Sequence, residues 1–288
     1  MNAGRHPVSV VLPDRRVMET VSVVVPTRDR PEALAACLGA LFAQTAGMGL
    51  EVVVVDDGSV ARAAVATIVS EFGARVVRLD GAGPSAARNA GVEAACGDRI
   101  LLLDDDCVPQ RGWAQSIVSS VARGTRLVVA GTVQLPPTAT VWLRVSERIA
   151  IESEAASSFV RTLNLACDRD LLVEVPFDES FRVAGGEDRD WCVRAARAGA
   201  TFVREPDAIV EHRADLGGEA FFRQQLRYGR AVHRLRRRGT HMQASGSAHR
   251  RALARGFSEG VPVGLAMMAA SVAMATGYFL ERQSDMFR

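Results

Sequence analysis

The stretch ILLLDDDCVP, residues 100–109, places four apolar residues directly before three adjacent aspartates, Asp104, Asp105 and Asp106. Such an apolar run is typical of a buried strand, and three neighbouring carboxylates at its end repel one another. Asp104 and Asp106, at alternate positions, can converge directly or through water on one divalent cation, which in turn binds phosphate oxygens. The alternative is a solvated acidic loop that caps the next helix, with Pro109 as the first helical residue.

Similar apolar runs recur before and after this stretch, at residues 21–25, 51–55, 75–79, 99–103 and 126–130. Segments with the apolar spacing of amphipathic helices lie between them, and residues 34–42 are the clearest example. This alternation predicts an α/β fold with a mainly parallel sheet flanked by helices. Ligands bind beyond the carboxyl ends of the strands in such sheets, where polar clusters at 26–30 and 56–59 accompany the aspartates.

The composition is that of a globular protein, with 48% hydrophobic and 24% charged residues in a chain of 288. The five cysteines are scattered without a CxxC pair, and the N-terminus carries no secretory signal, so we expect a reducing, cytoplasmic setting. Residues 1–218 carry 23 arginines and 29 acids, whereas residues 219–255 carry ten arginines and one glutamate. An acidic body is therefore followed by a basic segment.

Five blocks carry a resemblance to a known family: VSVVVPTRDRPEALAACLGAL (21–41), EVVVVDDGS (51–59), GPSAARNAG (83–91), LLLDDDCVP (101–109) and GGEDRDWCVRAARAG (185–199). In this order they resemble the family 2 glycosyltransferases, which have the GT-A fold. The resemblance covers about residues 21–215. It implies that the aspartates form the metal-binding DxD motif and that Glu187 and Asp188 form the catalytic ED block.

The resemblance also implies a nucleotide-sugar site at the strand ends. Asp57 would accept a hydrogen bond from the nucleotide base, and Arg88 would help to hold the nucleotide. The other residues of this site would be Pro26, Thr27, Arg28, Asp104 and Asp105. The alternatives are that Asp56 or Asp57 only orders the DDGS turn and that Arg88 only pairs with a surface acid.

The implied cofactor is a divalent metal ion, Mn²⁺ or Mg²⁺. Asp106 would be its principal ligand and Asp104 its near neighbour. His212, in the segment IVEHR, would complete the site as in several related enzymes, because imidazole can bind metals. The alternative for His212 is a hydrogen-bonded surface residue.

Glu187 and Asp188 follow two glycines and open a helix, so they can project from a tight turn into a cleft, and we expect Gly185 and Gly186 to leave room for substrate. Adjacent helical positions diverge by about 100°, so the two acids cannot share one task. The resemblance favours Asp188 as the base that takes the acceptor proton, with Glu187 as an orienting or acceptor-binding group. The alternative is that both only complement the helix dipole.

The function implied is metal-dependent, inverting transfer of a sugar from a nucleotide-sugar to a lipid-linked, polysaccharide or other envelope acceptor. A UDP-sugar is the default donor, with GDP-mannose or a dTDP-sugar as alternatives, and no nucleic-acid partner is expected. Two other classes are a nucleotidyltransferase and a catalytically inactive nucleotide-sugar-binding protein. A nucleotidyltransferase usually has a glycine-rich basic loop after its first strand, where this chain has PTRDRP.

The predicted organisation is an N-terminal extension (1–20), a catalytic domain (21–215), a basic amphipathic helical segment (216–255) and an apolar tail (256–288). Residues 261–280 of the tail carry no charge over a length that can cross a bilayer. We therefore expect a membrane-associated helical C-terminus, with the catalytic domain on the cytoplasmic face of the cell membrane. The alternatives are an amphipathic helix packed on the body, a buried hairpin or dimer contact, and a plain cytoplasmic location.

Overall fold

The chain folds around one sheet with helices on both faces. The structure, a computed structural model, describes residues 20–45, 48–122, 124–155, 159–240, 253–258 and 260–286. Its strands are β1 (Val21–Thr27), β2 (Glu51–Asp57), β3 (Arg75–Leu79), β4 (Arg99–Leu103), β5 (Cys107–Pro109), β6 (Leu127–Gln134), β7 (Asn164–Asp168) and β8 (Thr201–His212). Its helices are α1 (Pro31–Thr45), α2 (Arg62–Glu71), α3 (Pro84–Ala94), α4 (Trp113–Val121), α5 (Val141–Ala155), α6 (Arg169–Glu174), α7 (Glu187–Arg197), α8 (Gly218–Arg237) and α9 (Val261–Met286). Apart from Thr20, the predicted extension at residues 1–20 lies outside the described residues.

The described strands form an eight-stranded sheet in the order β3-β2-β1-β4-β7-β6-β8-β5. The first four strands are parallel, as the sequence predicts, and the apolar runs at residues 21–25, 51–55, 75–79 and 99–103 fall within them. The other half is mixed, because β7 runs antiparallel to both β4 and β6. Strands β6 and β8 pair in parallel and run in the same direction as β1–β4, so among the described strands only β7 and β5 run the other way, and the prediction of a mainly parallel sheet holds apart from these two strands.

The reversal at β7 has a physical cause in the connection that precedes it. The chain leaves the carboxyl end of β6, forms α5, and returns at the same end of the sheet to begin β7. A strand that starts beside the end of its neighbour must run antiparallel to it, whereas a parallel strand needs a connection that crosses back to the opposite end of the sheet. This return brings residues 161–164 to the edge where β4 ends.

The parallel half is held by a core on each face of the sheet. Alternate residues of β1 point to opposite faces: Val23 and Val25 join the core under α1, while Val24 joins the core under α3 and α7. Burying each such side chain contributes about 1.5–3 kcal/mol. The predicted apolar face of α1 is confirmed, because its buried residues are Leu34, Cys37, Leu38, Leu41 and Thr45.

Helices α8 and α9 lie side by side and pack on the body through a third core, which includes Leu143 of α5. Phe221 of α8 shares that core with Met267, the backbone of Leu226 meets Gly277, and Arg237 pairs with Asp285 at 2.6 Å. These contacts advance together along both helices, so the helices run in the same direction. Within the described residues, one helix, at 261–285, is long and apolar enough to cross a membrane by length and composition.

The close approach of α8 to α9 depends on glycine. A Cβ at Gly229 would overlap the carbonyl oxygen of Met274, so we expect Gly229→Ala to destabilise the protein by about 1–3 kcal/mol through overpacking. Urea unfolding measures this change. The control is Gly217→Ala, where a Cβ meets nothing within 4 Å and the cost should stay under about 1 kcal/mol. Equal losses in the two variants would contradict the packing described for α8 and α9.

Candidate functional site

Three polar clusters meet at one edge of the sheet. Strands β1, β2 and β4 are parallel neighbours, so their carboxyl ends lie side by side. These ends carry residues 26–30, 56–59 and 104–106. The register therefore confirms the place where the sequence predicts that polar groups gather.

Asp105, in the middle of the aspartate triplet, faces the protein interior. It has no exposed surface, and its carboxylate accepts a 2.6 Å hydrogen bond from the Thr27 hydroxyl and lies 2.9 Å from the Arg30 guanidinium. Burial raises the pKa of Asp105 to about 7, although the charge of Arg30 opposes the shift. The carboxylate of Asp105 therefore joins β1 to the triplet, and its contact with a nucleotide-sugar stays a prediction.

Asp106 lies between Arg30 and His212. Arg30 Nη1 donates to Asp106 Oδ2 at 2.5 Å, and His212 Nε2 lies 3.6 Å from Asp106 Oδ1. Burial alone would raise the pKa of Asp106, but His212 and Arg30 outweigh burial and lower it. Pro109 belongs to β5 rather than to a helix, and Asp105 and Asp106 are buried, so the alternative of a solvated acidic loop is wrong.

His212 is the last residue of β8 and reaches Asp106 because β5 pairs with β8, with Cys107 opposite His212. Its second ring nitrogen, Nδ1, lies 3.8 Å from Oε2 of Glu147 on α5. Burial alone would lower the pKa of His212, yet Asp106 and Glu147 raise it to about 9. Glu147 is itself held by Arg161 through two bonds of 2.7 Å. His212 is therefore a partly buried member of a charged network, not a surface residue.

The carboxylate of Asp106 and the imidazole of His212 are donor groups that bind divalent ions, and they lie near each other. Two ligands at right angles around an ion are about 3 Å apart when each lies about 2.1 Å from it, so Oδ1 and Nε2, which are 3.6 Å apart, would have to approach each other to share an ion. Within the described residues no three His, Cys, Asp or Glu side chains form a closed metal site. The remaining ligands would then come from water or a phosphate oxygen, which is the usual arrangement for Mg²⁺.

Arg88 joins the aspartate triplet to the turn that begins α7. Its side chain is 5% exposed, and its guanidinium lies 3.0 Å from Asp104 and 3.6 Å from Glu187. The guanidinium also lies over the ring of Phe177, 5.7 Å from the ring centroid. The role of Arg88 as a nucleotide ligand stays a prediction. Its acidic partners in the structure are Asp104 and Glu187, which belong to the two predicted acidic motifs.

Glu187 and Asp188 are the first two residues of α7, as predicted, and they face different partners. Glu187 is buried and accepts a 2.6 Å hydrogen bond from the Gly185 N–H. Asp188 is partly exposed, and its Oδ2 accepts a 3.4 Å bond from the Thr162 N–H. This divergence agrees with two separate tasks for the two carboxylates.

The two glycines before α7 do not leave room for substrate, which corrects the expectation from sequence. Gly185 and Gly186 have φ of 138° and 99°, a region that favours glycine. A Cβ at Gly185 would lie 3.1 Å from the Tyr228 ring, and one at Gly186 would lie 3.0 Å from Ala231. Helix α8 therefore occupies the space beside the turn, and the glycines serve backbone geometry and close packing.

Asp57 holds the segment that follows β3. Its two carboxylate oxygens accept hydrogen bonds from the Ala82 and Gly83 N–H groups at 2.7 and 2.9 Å, and the Arg28 guanidinium lies 3.9 Å away. The structure thus brings together Arg28 and Asp57, which the sequence assigns to one pocket together with the neighbouring Pro26. Contact of these side chains with a nucleotide stays a prediction.

Asp56 orders the DDGS turn, which is the alternative role that the sequence offers for this pair of aspartates. Its Oδ1 accepts a 2.9 Å bond from the Ser59 N–H, and its Oδ2 accepts a 2.7 Å bond from Arg78. Asp56 is almost fully buried, so its carboxylate is committed to the protein interior.

A cavity of about 340 Å³ lies between β6, α5 and the segment that precedes β7. Its polar lining combines two acids and two arginines with an amide: Glu147, Glu154, Arg161, Arg204 and Asn164. Sequence reasoning missed Glu147 and Arg161, because nothing in the sequence separates them from other charged residues of a helix and a loop. Arg161 directly precedes Thr162, so the cavity borders the backbone that contacts Asp188.

The buried Glu187 makes stability depend on pH. Burial raises its pKa from 4.5 to about 8, with the Asp188 charge acting in the same direction and Arg88 opposing. The folded state therefore holds a proton that the unfolded state has lost, and this group's contribution to stability falls as pH rises through that range. Glu187→Gln removes the titration, so we expect the melting temperature of the variant to rise relative to wild type between about pH 5 and about pH 8.

Calorimetry across this pH range measures the difference between the two melting temperatures. The control is Glu93→Gln, which changes an exposed glutamate on α3 and should leave the difference constant. A constant difference for Glu187→Gln as well would show that Glu187 is ionised in the folded protein.

Comparison with known proteins places this geometry in a family. A model described as Glycosyl transferase family 2 matches residues 22–181. Glycosyltransferase AglE of Haloferax volcanii is 30% identical over 222 residues, which cover 73% of this chain and 72% of the relative. Pre-mycofactocin glycosyltransferase of Mycobacterium tuberculosis is 31% identical over 206 residues, which cover 67% of this chain but 42% of the relative. This chain thus spans less than half of that second protein.

Solved structures share the fold. Mannosyltransferase PcManGT from Pyrobaculum calidifontis, in complex with GDP-Man and Mn²⁺, gives a TM-score of 0.62 at 20% identity and covers 94% of this chain and 85% of that one. Glucosyl-3-phosphoglycerate synthase from Mycobacterium tuberculosis, in complex with Mg²⁺ and UDP, gives 0.59 at 18% identity, with 78% and 81% covered. These likenesses identify a GT-A-like α/β fold with a mixed sheet. Because the family model also matches more than half of its length, the chain belongs to glycosyltransferase family 2.

Proposed function

We propose that the chain transfers a sugar from a nucleotide-sugar to an acceptor hydroxyl, with inversion at the anomeric carbon and with a divalent ion bound. The observation that carries this proposal is the buried bridge from Asp104 through Arg88 to Glu187. The bridge fixes the donor-side aspartates and the ED turn at one edge of the sheet. Family membership supports the same activity.

On the donor side, Asp106 and His212 would hold Mn²⁺ or Mg²⁺, with Asp104 next to them. The bound ion supplies charge neutralisation for the diphosphate as it leaves. Arg28 and Asp57 would form the wall of the nucleotide pocket at the adjoining strand ends, together with Pro26. The Thr27 hydroxyl donates to the buried Asp105 instead. Solved structures of this fold that contain GDP-Man with Mn²⁺ or UDP with Mg²⁺ support a nucleotide and a divalent ion.

On the acceptor side, Asp188 takes the proton from the attacking hydroxyl. The acceptor oxygen bonds to the anomeric carbon on the face opposite the diphosphate, the bond from that carbon to the diphosphate oxygen breaks, and both electrons of the broken bond leave with the diphosphate. Glu187, held neutral by burial, keeps α7 and Arg88 in position. Its bond from Gly185 sets the start of the helix that presents Asp188.

The acceptor would enter through the cavity beside Thr162. Its arginines and glutamates neutralise one another in pairs of 2.6–2.8 Å, so its lining suits a neutral group with several hydroxyls rather than a highly charged one. A glycan or lipid-linked sugar of the cell envelope has this character. The donor nucleotide is taken as UDP from the family resemblance, with GDP-mannose and dTDP-sugars as the other members of the assay panel.

A panel of nucleotide-sugars, assayed for hydrolysis with Mn²⁺ or Mg²⁺, tests the activity. We expect one donor class to be hydrolysed slowly and only with the metal present. Pyrophosphate release from a nucleoside triphosphate would favour a nucleotidyltransferase instead, and no nucleotide binding with Mn²⁺ would favour an inactive protein. Nuclear magnetic resonance of the product tests inversion, because a product with the anomeric configuration of the donor would refute it.

Two substitutions separate the roles of donor and acceptor groups. We expect Asp106→Ala to abolish metal-dependent nucleotide binding, because the ion loses its principal ligand. Asp188→Asn should retain binding and lower turnover by about 10²–10⁴, the usual contribution of a general base. Calorimetric titration and single-turnover assays measure the two effects.

The control for both variants is Asp170→Asn. Asp170 is an exposed aspartate in the first turn of α6, which follows β7 at the end of the sheet opposite the polar clusters. It should leave binding and turnover unchanged. Wild-type donor affinity and full turnover in either Asp106→Ala or Asp188→Asn would refute the assigned roles.

A further inference from the structure

Helix α9 presents a continuous apolar face to solvent. Its residues recur at intervals of three, four or seven, and each is about half exposed or more: Val261 (62%), Leu265 (56%), Met268 (49%), Val272 (67%) and Phe279 (55%). The opposite face, with Val263, Met267 and Ala270, packs in the core shared with α5 and α8. The apolar face is therefore exposed even though the opposite face of α9 is packed against α5 and α8.

A row of arginines lies along the neighbouring helix. Arg223, Arg227, Arg230, Arg234 and Arg237 recur every three or four residues of α8, which places them on one face. Arg234 and Arg237 pair with Glu281 and Asp285 of α9 at 2.8 and 2.6 Å, so the row borders α9. Among the described residues no carboxylate pairs with Arg227 or Arg230, and both are exposed.

The charge of the rest of the chain determines which side of the protein would face an anionic surface. Residues 1–218 carry more acids than arginines, 29 against 23. An anionic surface would therefore attract the arginine row and repel much of the remaining body. An apolar strip beside a basic strip is the pattern of helices that lie in the plane of a membrane interface.

We propose that α8 and α9 form a surface that lies flat on an anionic lipid bilayer, with the exposed face of α9 inserted at the boundary between headgroups and acyl chains. The exposed α9 residues would supply apolar contact, and the arginine row would contact anionic headgroups. This proposal does not depend on the donor or acceptor assigned above, because lipid binding is measured without catalysis.

The packing of α8 argues against α9 crossing the bilayer. The two helices stay in contact from Phe221 and Met267 to Arg237 and Asp285, so a spanning α9 would carry the arginine row into the hydrocarbon. Arginine side chains at that depth are costly and rare. A second copy of the chain is also disfavoured, because a two-fold contact through α9 would bring two arginine rows close together.

The placement of this surface has a consequence for the reaction. Tyr228 and Ala231 of α8 pack directly on Gly185 and Gly186, the residues before Glu187 and Asp188. One helix thus contacts the lipid on one side and supports the ED turn on the other. A membrane-bound chain would hold Asp188 close to the interface, where an acceptor hydroxyl on a lipid-linked sugar is found.

The test uses the full chain with vesicles of phosphatidylcholine alone or mixed with phosphatidylglycerol, and sedimentation to measure binding. We expect binding to the anionic vesicles only, weakened by high salt. The double change Arg227→Gln with Arg230→Gln removes two arginines that have no carboxylate partner among the described residues and should weaken binding by about twenty-five-fold, which is about fivefold for each charge. The control is Arg62→Gln with Arg111→Gln, two exposed arginines on the body, and this variant should bind as wild type.

Tryptophan placed at the middle of the apolar face separates lying on the bilayer from crossing it. In Val272→Trp, quenching by lipids brominated near the headgroups should exceed quenching by lipids brominated near the chain ends. The reverse order, together with binding that resists high salt, would overturn the proposal in favour of a spanning helix. Equal binding to both kinds of vesicle, no binding to either, or a stable dimer in solution that Val272→Gln dissociates would also overturn it.

Discussion

The site depends on the guanidinium of Arg88, which is buried between two acidic blocks that lie far apart in the sequence. It pairs with Asp104 at the end of β4 and with Glu187 at the start of α7, and it lies over the ring of Phe177. A buried pair adds little net stability, but removing Asp104 would leave the buried guanidinium of Arg88 uncompensated, which costs about 3–5 kcal/mol. Arg88 therefore holds the aspartate triplet at the end of β4 against the turn that begins α7.

Helix α5 connects the end of the sheet that carries Asp106 and His212 to the C-terminal helices. Glu147 of α5 lies beside the ring of His212 and accepts hydrogen bonds from Arg161. Trp142, at its start, packs against the Phe221 ring with centroids 5.4 Å apart. Movement of α8 on a surface would thus reach α5 and, through Glu147, the orientation of His212. The same helix that lines the cavity beside Thr162 also supports a proposed metal ligand.

Local patterns were enough to predict the parallel strands β1–β4, the end of the sheet at which the polar clusters gather and the helix that begins at Glu187. They were not enough for Arg30 and Glu147. Arg30 reaches Asp105 and Asp106 from the turn after β1, in which Asp29 has a φ of 54°. Glu147 is one charged residue among several on α5, and its meeting with His212 depends on how α5 packs, which no local spacing encodes. The role of Gly185 was misread for the same reason, since α8 follows it much later in the chain.

Electron paramagnetic resonance of bound Mn²⁺ tests the central claim, that Asp106 and His212 form one side of a metal site completed by a nucleoside diphosphate. The account predicts that Mn²⁺ binds in the presence of UDP or GDP with one directly coordinated nitrogen. It also predicts that the nitrogen signal disappears in His212→Gln while Mn²⁺ still binds, more weakly. A bound ion without a nitrogen ligand, an unchanged signal in His212→Gln, or no binding with any nucleoside diphosphate would contradict it.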